Sequence, residues 1–148
     1  MDIQRSELLR GVSSDFVKQI RAITVKESYD TGDILFRKGD PAEYLYVLLM
    51  GRIKLSLGER KQVVHIVSRS GEAFGWSSLV GRKSYAGWAE CETAATLQKI
   101  DSHKLLKILE KDPVSASAFY RQLAAMLGSR LLQSYSRYEK VFTGKTLI

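Results

Sequence analysis

Short apolar runs, each closed by glycine or a turn cluster, fill the chain from Ile23 to Ile100. The longest is Tyr44-Leu45-Tyr46-Val47-Leu48-Leu49-Met50. Runs this brief leave no room for the long crossover that parallel strands need, so they specify antiparallel pairing. Ile23-Thr24-Val25 is rich in β-formers, Thr31-Gly32-Asp33 is a turn, and Ile34-Leu35-Phe36 resumes the sheet. Lys38-Gly39-Asp40-Pro41 is a second turn, because glycine admits positive φ and proline presets the next residue. Tyr44 to Met50 reads as a central strand, buried on both faces at its end. Alternation then directs Ile53, Leu55 and Leu57 inward, and Gly58-Glu59-Arg60 joins that strand to Gln62–Val67. Farther on, Ala89 and Cys91 point inward while Trp88, Glu90 and Glu92 face the other way; Ala95 to Ile100 closes the set. The predicted class is mainly β within α+β: an antiparallel jelly roll (a double-stranded β-helix), with Gly32, Gly39, Gly51, Gly71 and Gly75 at its turns.

Helices bracket this region. Arg5 to Arg10 forms a short amphipathic turn ending at Gly11, and Ser13 caps a second helix. Val12 and Val17 are placed as its hydrophobic staple, with Phe16 and Ile20 on its apolar face. Asp101 caps a later helix containing Leu105, Ile108 and Leu109, and Asp112-Pro113 opens the last one, which runs to about Phe142. On that helix Tyr120, Leu123, Ala124, Leu127, Leu131, Tyr135, Tyr138 and Phe142 share one face. Arg121, Gln122, Ser129, Gln133, Ser136, Arg137 and Lys140 share the opposite one. The organisation is one domain over 1–148: N-terminal helices in 1–21, the jelly roll in 22–100 and C-terminal helices in 101–142.

One stretch departs from simple alternation, Gly71 to Gly87, GEAFGWSSLVGRKSYAG. Phe74-Gly75 ends an extended run, and Trp76-Ser77-Ser78-Leu79-Val80 makes a single helical turn. Gly81 to Ser84 is a basic turn, and Tyr85-Ala86-Gly87 returns to extended chain. A glycine before a helical start leaves outward-pointing N–H groups that suit an anion.

The order and spacing of this stretch resemble the phosphate-binding cassette of cyclic-nucleotide-binding domains, the family of catabolite-activator-type regulators and the regulatory subunits of cAMP-dependent kinases. Phe74-Gly75, Leu79 and Ala86-Gly87 match the family pattern FGE[LI]AL…RAA. The upstream frame is similar too: Tyr29, Gly32, Leu35, Gly39-Asp40, the strand Tyr44–Met50 and Gly51. The resemblance implies a ligand site at Phe74, Gly75, Trp76, Ser77, Ser78, Leu79, Tyr85, Ala86 and Gly87. It also implies a cyclic nucleotide or another small nucleotide-like ligand. Two departures qualify this. The family's ribose-binding glutamate is Trp76 here, and its phosphate-binding arginine falls on Tyr85. Neither supplies the missing charge, so a less charged or more apolar ligand than cAMP or cGMP is expected, with Trp76 or Tyr85 free to stack on a flat ring.

Composition narrows the function classes. With 148 residues, 45% hydrophobic and 26% charged, the chain is an ordinary globular domain. The longest apolar run is far below the ~20 residues that span a bilayer, Met1 to Arg5 lack a signal-peptide start, and the one cysteine, Cys91, forms no internal disulfide. A cytoplasmic setting is expected. The net charge is +7, with 23 basic and 16 acidic residues, but the basic residues are scattered and not interleaved with stacking aromatics. No DNA binding is expected of this chain alone, since Thr143 to Ile148 are too few for a helix-turn-helix. Two histidines, His65 and His103, make no metal cluster and read as structural or solvated. No nucleophile has a supporting base, so no catalytic or metal residue is assigned and enzyme chemistry is not expected.

The last helix outreaches a small barrel, and the apolar face of its outer half lacks an intrachain cover. Homodimerisation is expected there, through Leu123, Leu127, Leu131 and Tyr135, with Arg130 at the edge of the seam. The expected function is a cyclic-nucleotide-domain-like sensor that binds a small ligand at the cassette and signals through this helix. The alternatives are an interaction or dimerisation module whose pocket is closed by Trp76 and Tyr85, and the sensor half of a transcription regulator without its DNA-reading segment.

Overall fold

The computed structural model describes residues 6–142, and the side chains of 6–139. Arg5, the side chains of Lys140 and Phe142, and the segment 143–148 lie outside the described residues. A 3₁₀ turn, Glu7–Leu9, leads into α1 (Ser14–Ala22). Eight strands come next: β1 (Thr24–Tyr29), β2 (Ile34–Phe36), β3 (Tyr44–Met50), β4 (Ile53–Leu57), β5 (Gln62–Val67), β6 (Ala73–Phe74), β7 (Trp88–Cys91) and β8 (Ala95–Asp101). A 3₁₀ turn, Ser77–Val80, interrupts them; α2 (Ser102–Lys111) and α3 (Pro113–Phe142) complete the chain. The caps are those that the sequence predicts. Ser13 Oγ accepts from Phe16 N–H at 3.1 Å, Asp101 from Lys104 N–H at 3.0 Å, and Asp112 from Ser115 N–H at 3.0 Å.

The strands make two antiparallel four-stranded sheets, in the orders β1-β8-β3-β6 and β2-β7-β4-β5. The jelly roll predicted from the turn spacing is the observed fold. All five turn glycines take positive φ.

β3 explains its own composition. Tyr46 and Leu48 enter the core between the sheets with Phe36, Ile53, Val67, Phe74, Ala89, Cys91 and Leu97. Leu45 and Val47 face the other way, into a helical core with Phe16, Ile20, Leu105, Phe119 and Leu123. A strand covered on both faces has no polar side to alternate. Burial spans Leu45 to Leu49, while Met50 is exposed, so the double-sided cover sits in the strand's middle and not at its end.

Leu57 keeps the alternation of β4: it lines the same cavity as Leu55, although as the last residue of the strand it is exposed. The pairing of β4 with β5 shifts between Leu55 and Ser56, where Val64 of β5 is the extra residue, while the register of β4 with β7 runs on unbroken. Ser56 is buried.

On α3 the buried stripe is Ser115, Phe119, Leu123 and Met126, with Tyr120 and Leu127 half-buried along its border and Ala124 exposed. The predicted face is rotated because Phe119 docks against Phe16, ring centroids 6.3 Å apart. The large ring, rather than the average periodicity, sets the helix's roll.

Candidate functional site

The cassette leaves β6 at Phe74 and turns at Gly75, whose φ is 77°. A Cβ there would lie 3.2 Å from both the Tyr44 carbonyl oxygen and the Tyr46 ring, so both the positive φ and the close approach call for glycine. The Ser77–Val80 turn comes next and ends on Gly81 in the left-handed region. The chain then returns beside the Arg37–Ala42 turn: Gly39 N–H donates to Tyr85 O, Tyr85 N–H to Asp40 O, and Ala42 N–H to Lys83 O. At Gly87 a Cβ would fall on the Ser56 carbonyl and the Leu57 side chain, so the cassette's end lies directly against β4.

Between these parts lies a pocket of about 420 Å³. Gly75, Trp76, Ser77, Tyr85, Ala86 and Gly87 form the cassette wall. Leu55 and Leu57 of β4 and Val64 and His65 of β5 form a second wall. Leu127, Arg130, Leu131 and Ser134 of α3 form a third. Trp76 lines this space without filling it. Its lining is mostly hydrocarbon and aromatic, with a few polar groups, the composition of a small-molecule site.

Three predicted site residues do not line this pocket. Phe74 is wholly buried between the sheets, its ring stacked on Tyr46 at 5.2 Å. Leu79 turns into the helical core, and its carbonyl accepts from Tyr120 Oη at 3.2 Å, which joins the cassette to α3. Ser78 Oγ is buried and has no partner among the described residues. Arg82 and Lys83 are exposed.

Tyr85 is committed elsewhere than expected. Its ring stacks on Phe36, centroids 3.7 Å apart and planes 12° from parallel. Its hydroxyl donates to Tyr44 O at 2.6 Å and accepts from Tyr44 N–H at 3.1 Å. Burial pushes its pKa up to about 12, against the opposing bond to Tyr44, so the phenol is neutral. Phe36 occupies one face of the ring, and Tyr85 still lines the pocket.

A polar cluster that no sequence motif announces lies at the pocket's α3 side. Glu72, immediately before β6, is almost fully buried, its side chain 3% exposed. Its Oε1 accepts from the N–H groups of Ser68 and Arg69, at 3.2 and 3.3 Å. Its Oε2 takes His65 Nε2 at 2.5 Å and Arg130 Nη2 at 3.1 Å. Arg130 Nη2 also donates to the Ala73 carbonyl. Desolvation alone would raise the Glu72 carboxyl, but His65, the Arg69 amide and Arg130 outweigh it and hold it at about 2. Burial draws the Arg130 guanidinium down despite its partner. The two shifts point differently about this pair; the carboxylate's reflects the pairing, the arginine's its removal from water. His65 is thus a half-buried member of this cluster, and His103 is exposed.

The expected dimer seam divides. Leu123 is buried in the domain's own core, Leu127 packs against it, and Arg130 points inward to Glu72 instead of edging a seam. Leu131, Leu132, Tyr135 and Tyr138 remain exposed. Arg137, also on α3, donates to the Val64 carbonyl and ties the helix to β5. No described helix is long and apolar enough to cross a membrane.

Comparison with known proteins accords with this arrangement. Glutaminase 1 of Bradyrhizobium diazoefficiens is 25% identical over 138 residues, 93% of this chain and 22% of that protein. The chain thus spans about a fifth of that relative's length. A Geobacter metallireducens protein provisionally assigned as cyclic nucleotide-binding shares the fold with a TM-score of 0.78 at 23% identity, over 87% of this chain and 95% of its own. The N-terminal domain of a transcriptional regulator from Streptomyces coelicolor A3(2) also shares it, with a TM-score of 0.68 at 25% identity, over 87% and 94%. The model of the cyclic nucleotide-binding domain matches residues 26–112, more than half of the sequence and the whole of the cassette, and the chain belongs to that family.

Proposed function

We propose that this regulatory domain is a small-molecule sensor, not an enzyme, whose ligand lies in the pocket between the cassette, β4 and β5, and α3. The observation that carries this reading is the shared pocket wall. Leu127, Arg130 and Leu131 of α3 face the same space as Gly75, Trp76 and Ser77. Any ligand there touches the helix directly, and differential contact with a movable element is what a binding signal requires. Standard cAMP or cGMP recognition is not part of the proposal, because Trp76 offers no carboxylate for a ribose hydroxyl and Tyr85 no charge for a cyclic phosphate.

The signal leaves through the outer half of α3, where Leu131, Leu132, Tyr135 and Tyr138 form an exposed apolar surface. Pairing of two copies along this surface removes it from water. Similarity both to an N-terminal domain of a transcriptional regulator and to about a fifth of a glutaminase supports a regulatory unit joined to different effectors. The domain works in the cytoplasm, where the buried thiol of Cys91 remains reduced.

Calorimetry against a panel of flat metabolites, run beside light scattering, tests the reading. Binding that Trp76→Ala abolishes and that alters association of copies supports it. A protein that binds none of the panel and stays monomeric at high micromolar concentration removes it.

A further inference from the structure

The cassette sends no cation into the pocket. Arg82 and Lys83 are exposed, and Tyr85 is neutral and bonded to Tyr44. Among the residues lining the pocket, the one permanent cation is Arg130, and it arrives from α3. Its side chain is 13% exposed. Both of its hydrogen bonds leave from Nη2, one to Glu72 and one to the Ala73 carbonyl. Its Nε–H is buried and has no partner among the described residues.

We propose that Arg130 holds the acidic group of the ligand, which is a flat, largely apolar carboxylic acid. The proposal rests on the sensing reading above and specifies its ligand. A buried guanidinium donor left unpaired is costly, and an oxyanion is the group that satisfies it best. Nη2 is anchored by Glu72 and Ala73, so the side chain is held in place before the ligand arrives. The rest of the pocket fixes the molecule's body: Phe36, Leu55, Leu57, Val64, Trp76 and Tyr85 present rings and hydrocarbon.

The neighbouring carboxylate sets the charge. Glu72 already balances Arg130, so a monoanion adds one negative charge beside a neutral pair, with His65 on the same carboxylate. A dianion would add a second charge without a partner. This favours a carboxylate over a phosphate monoester. An anion at Arg130 also competes with Glu72 for the guanidinium, so occupancy weakens a tie between α3 and the sheet.

The test uses the full chain with three probes of one ring system: 2-naphthoate, 2-naphthamide and 2-naphthyl phosphate. Calorimetry should show the acid binding about tenfold or more tighter than the amide, since hydrogen bonds to charged groups are the stronger ones, and tighter than the phosphate. Arg130→Gln should bring acid and amide to equal affinity in protein that still folds by circular dichroism. Should that variant not fold, Glu72→Gln decides: with the competing charge gone, affinity for 2-naphthoate should rise while that for the amide holds. Equal binding of acid and amide by the unaltered protein overturns the assignment of Arg130 while the sensing reading stands. So does an acid preference that survives Arg130→Gln, a phosphate that binds tightest, or a Glu72→Gln protein whose affinity for the acid falls. A protein that binds none of the three at millimolar concentration overturns the ligand assignment, and failure across the metabolite panel as well removes the sensing reading.

Discussion

Arg130 Nη2 lies 3.1 Å from Glu72 Oε2, and this contact fastens α3 to the chain segment that leads into the cassette. Both side chains are withdrawn from water, at 13% and 3% exposure. A buried pair of this kind adds little over apolar residues of the same shape, but removal of one partner strands the other charge. Arg130→Met should therefore destabilise the fold by about 3–5 kcal/mol. The double variant Arg130→Met with Glu72→Met should recover much of that loss. Urea denaturation of the set decides; equal losses in the single and double variants would show that the ion pair is not the cause.

Glu72 also makes stability depend on acid. Its carboxyl falls from the ordinary 4.5 to about 2 on folding, so the ionised form is the one that the native state favours. The resulting contribution, about 3 kcal/mol, is complete above the unfolded value near 4.5 and is lost as pH falls toward 2. Denaturation midpoints measured from pH 6 down to pH 2 should drop, and Glu72→Gln should flatten that drop. An unchanged profile in the variant would assign the acid sensitivity to other carboxylates.

Tight binding of cAMP or cGMP in the family's manner should be absent. Loss of the cassette's charged partner costs about 2–5 kcal/mol, more than tenfold in affinity. Tyr85→Arg is not expected to restore it, because the substitution removes the stack on Phe36 and both bonds to Tyr44. Calorimetry on both proteins gives the answer, and submicromolar cAMP affinity in the unaltered chain would refute the prediction.

Association of copies should depend on the outer half of α3 alone. Leu131→Glu with Tyr135→Glu puts like charges into an exposed apolar surface and should yield monomers with an unchanged melting temperature. Leu127→Glu should instead unfold the domain, since Leu127 packs against the helical core. Light scattering and thermal melts separate the two; a dimer that persists in the double variant places the contact elsewhere.

The fold is legible in the sequence because its signals are local. Turn glycines, the Ser13, Asp101 and Asp112 caps and the unbroken apolar run of β3 each announce a backbone state within a few residues. The cassette's backbone is legible for the same reason. Its side-chain assignments are less so: Leu79 and Phe74 belong to cores, and Tyr85 is engaged by Phe36 and Tyr44. The Glu72 cluster is hidden by distance, because His65 and Arg130 stand 7 and 58 residues from the glutamate in the chain. Periodicity alone misplaces Arg130, since the roll of α3 is set by the docking of Phe119. A glutamate placed directly before the buried pair Ala73-Phe74 is the one available hint of a satisfied internal carboxylate.

The two arginine ties of α3 have a mechanical consequence. The helix is 30 residues long, and its tie to Glu72 lies 12 residues from the end at Phe142. At 1.5 Å per residue the arm beyond that tie is about 18 Å. A rigid tilt of about 5° at Arg130 carries the tip through about 1.5 Å, the scale of the helix shifts that repack subunit interfaces. Arg137 clips the same arm to β5 at Val64. Arg130 is thus placed as a pivot and Arg137 as a brake, and the proposed ligand, lying against Leu127 and Leu131, would bear on the helix on either side of that pivot.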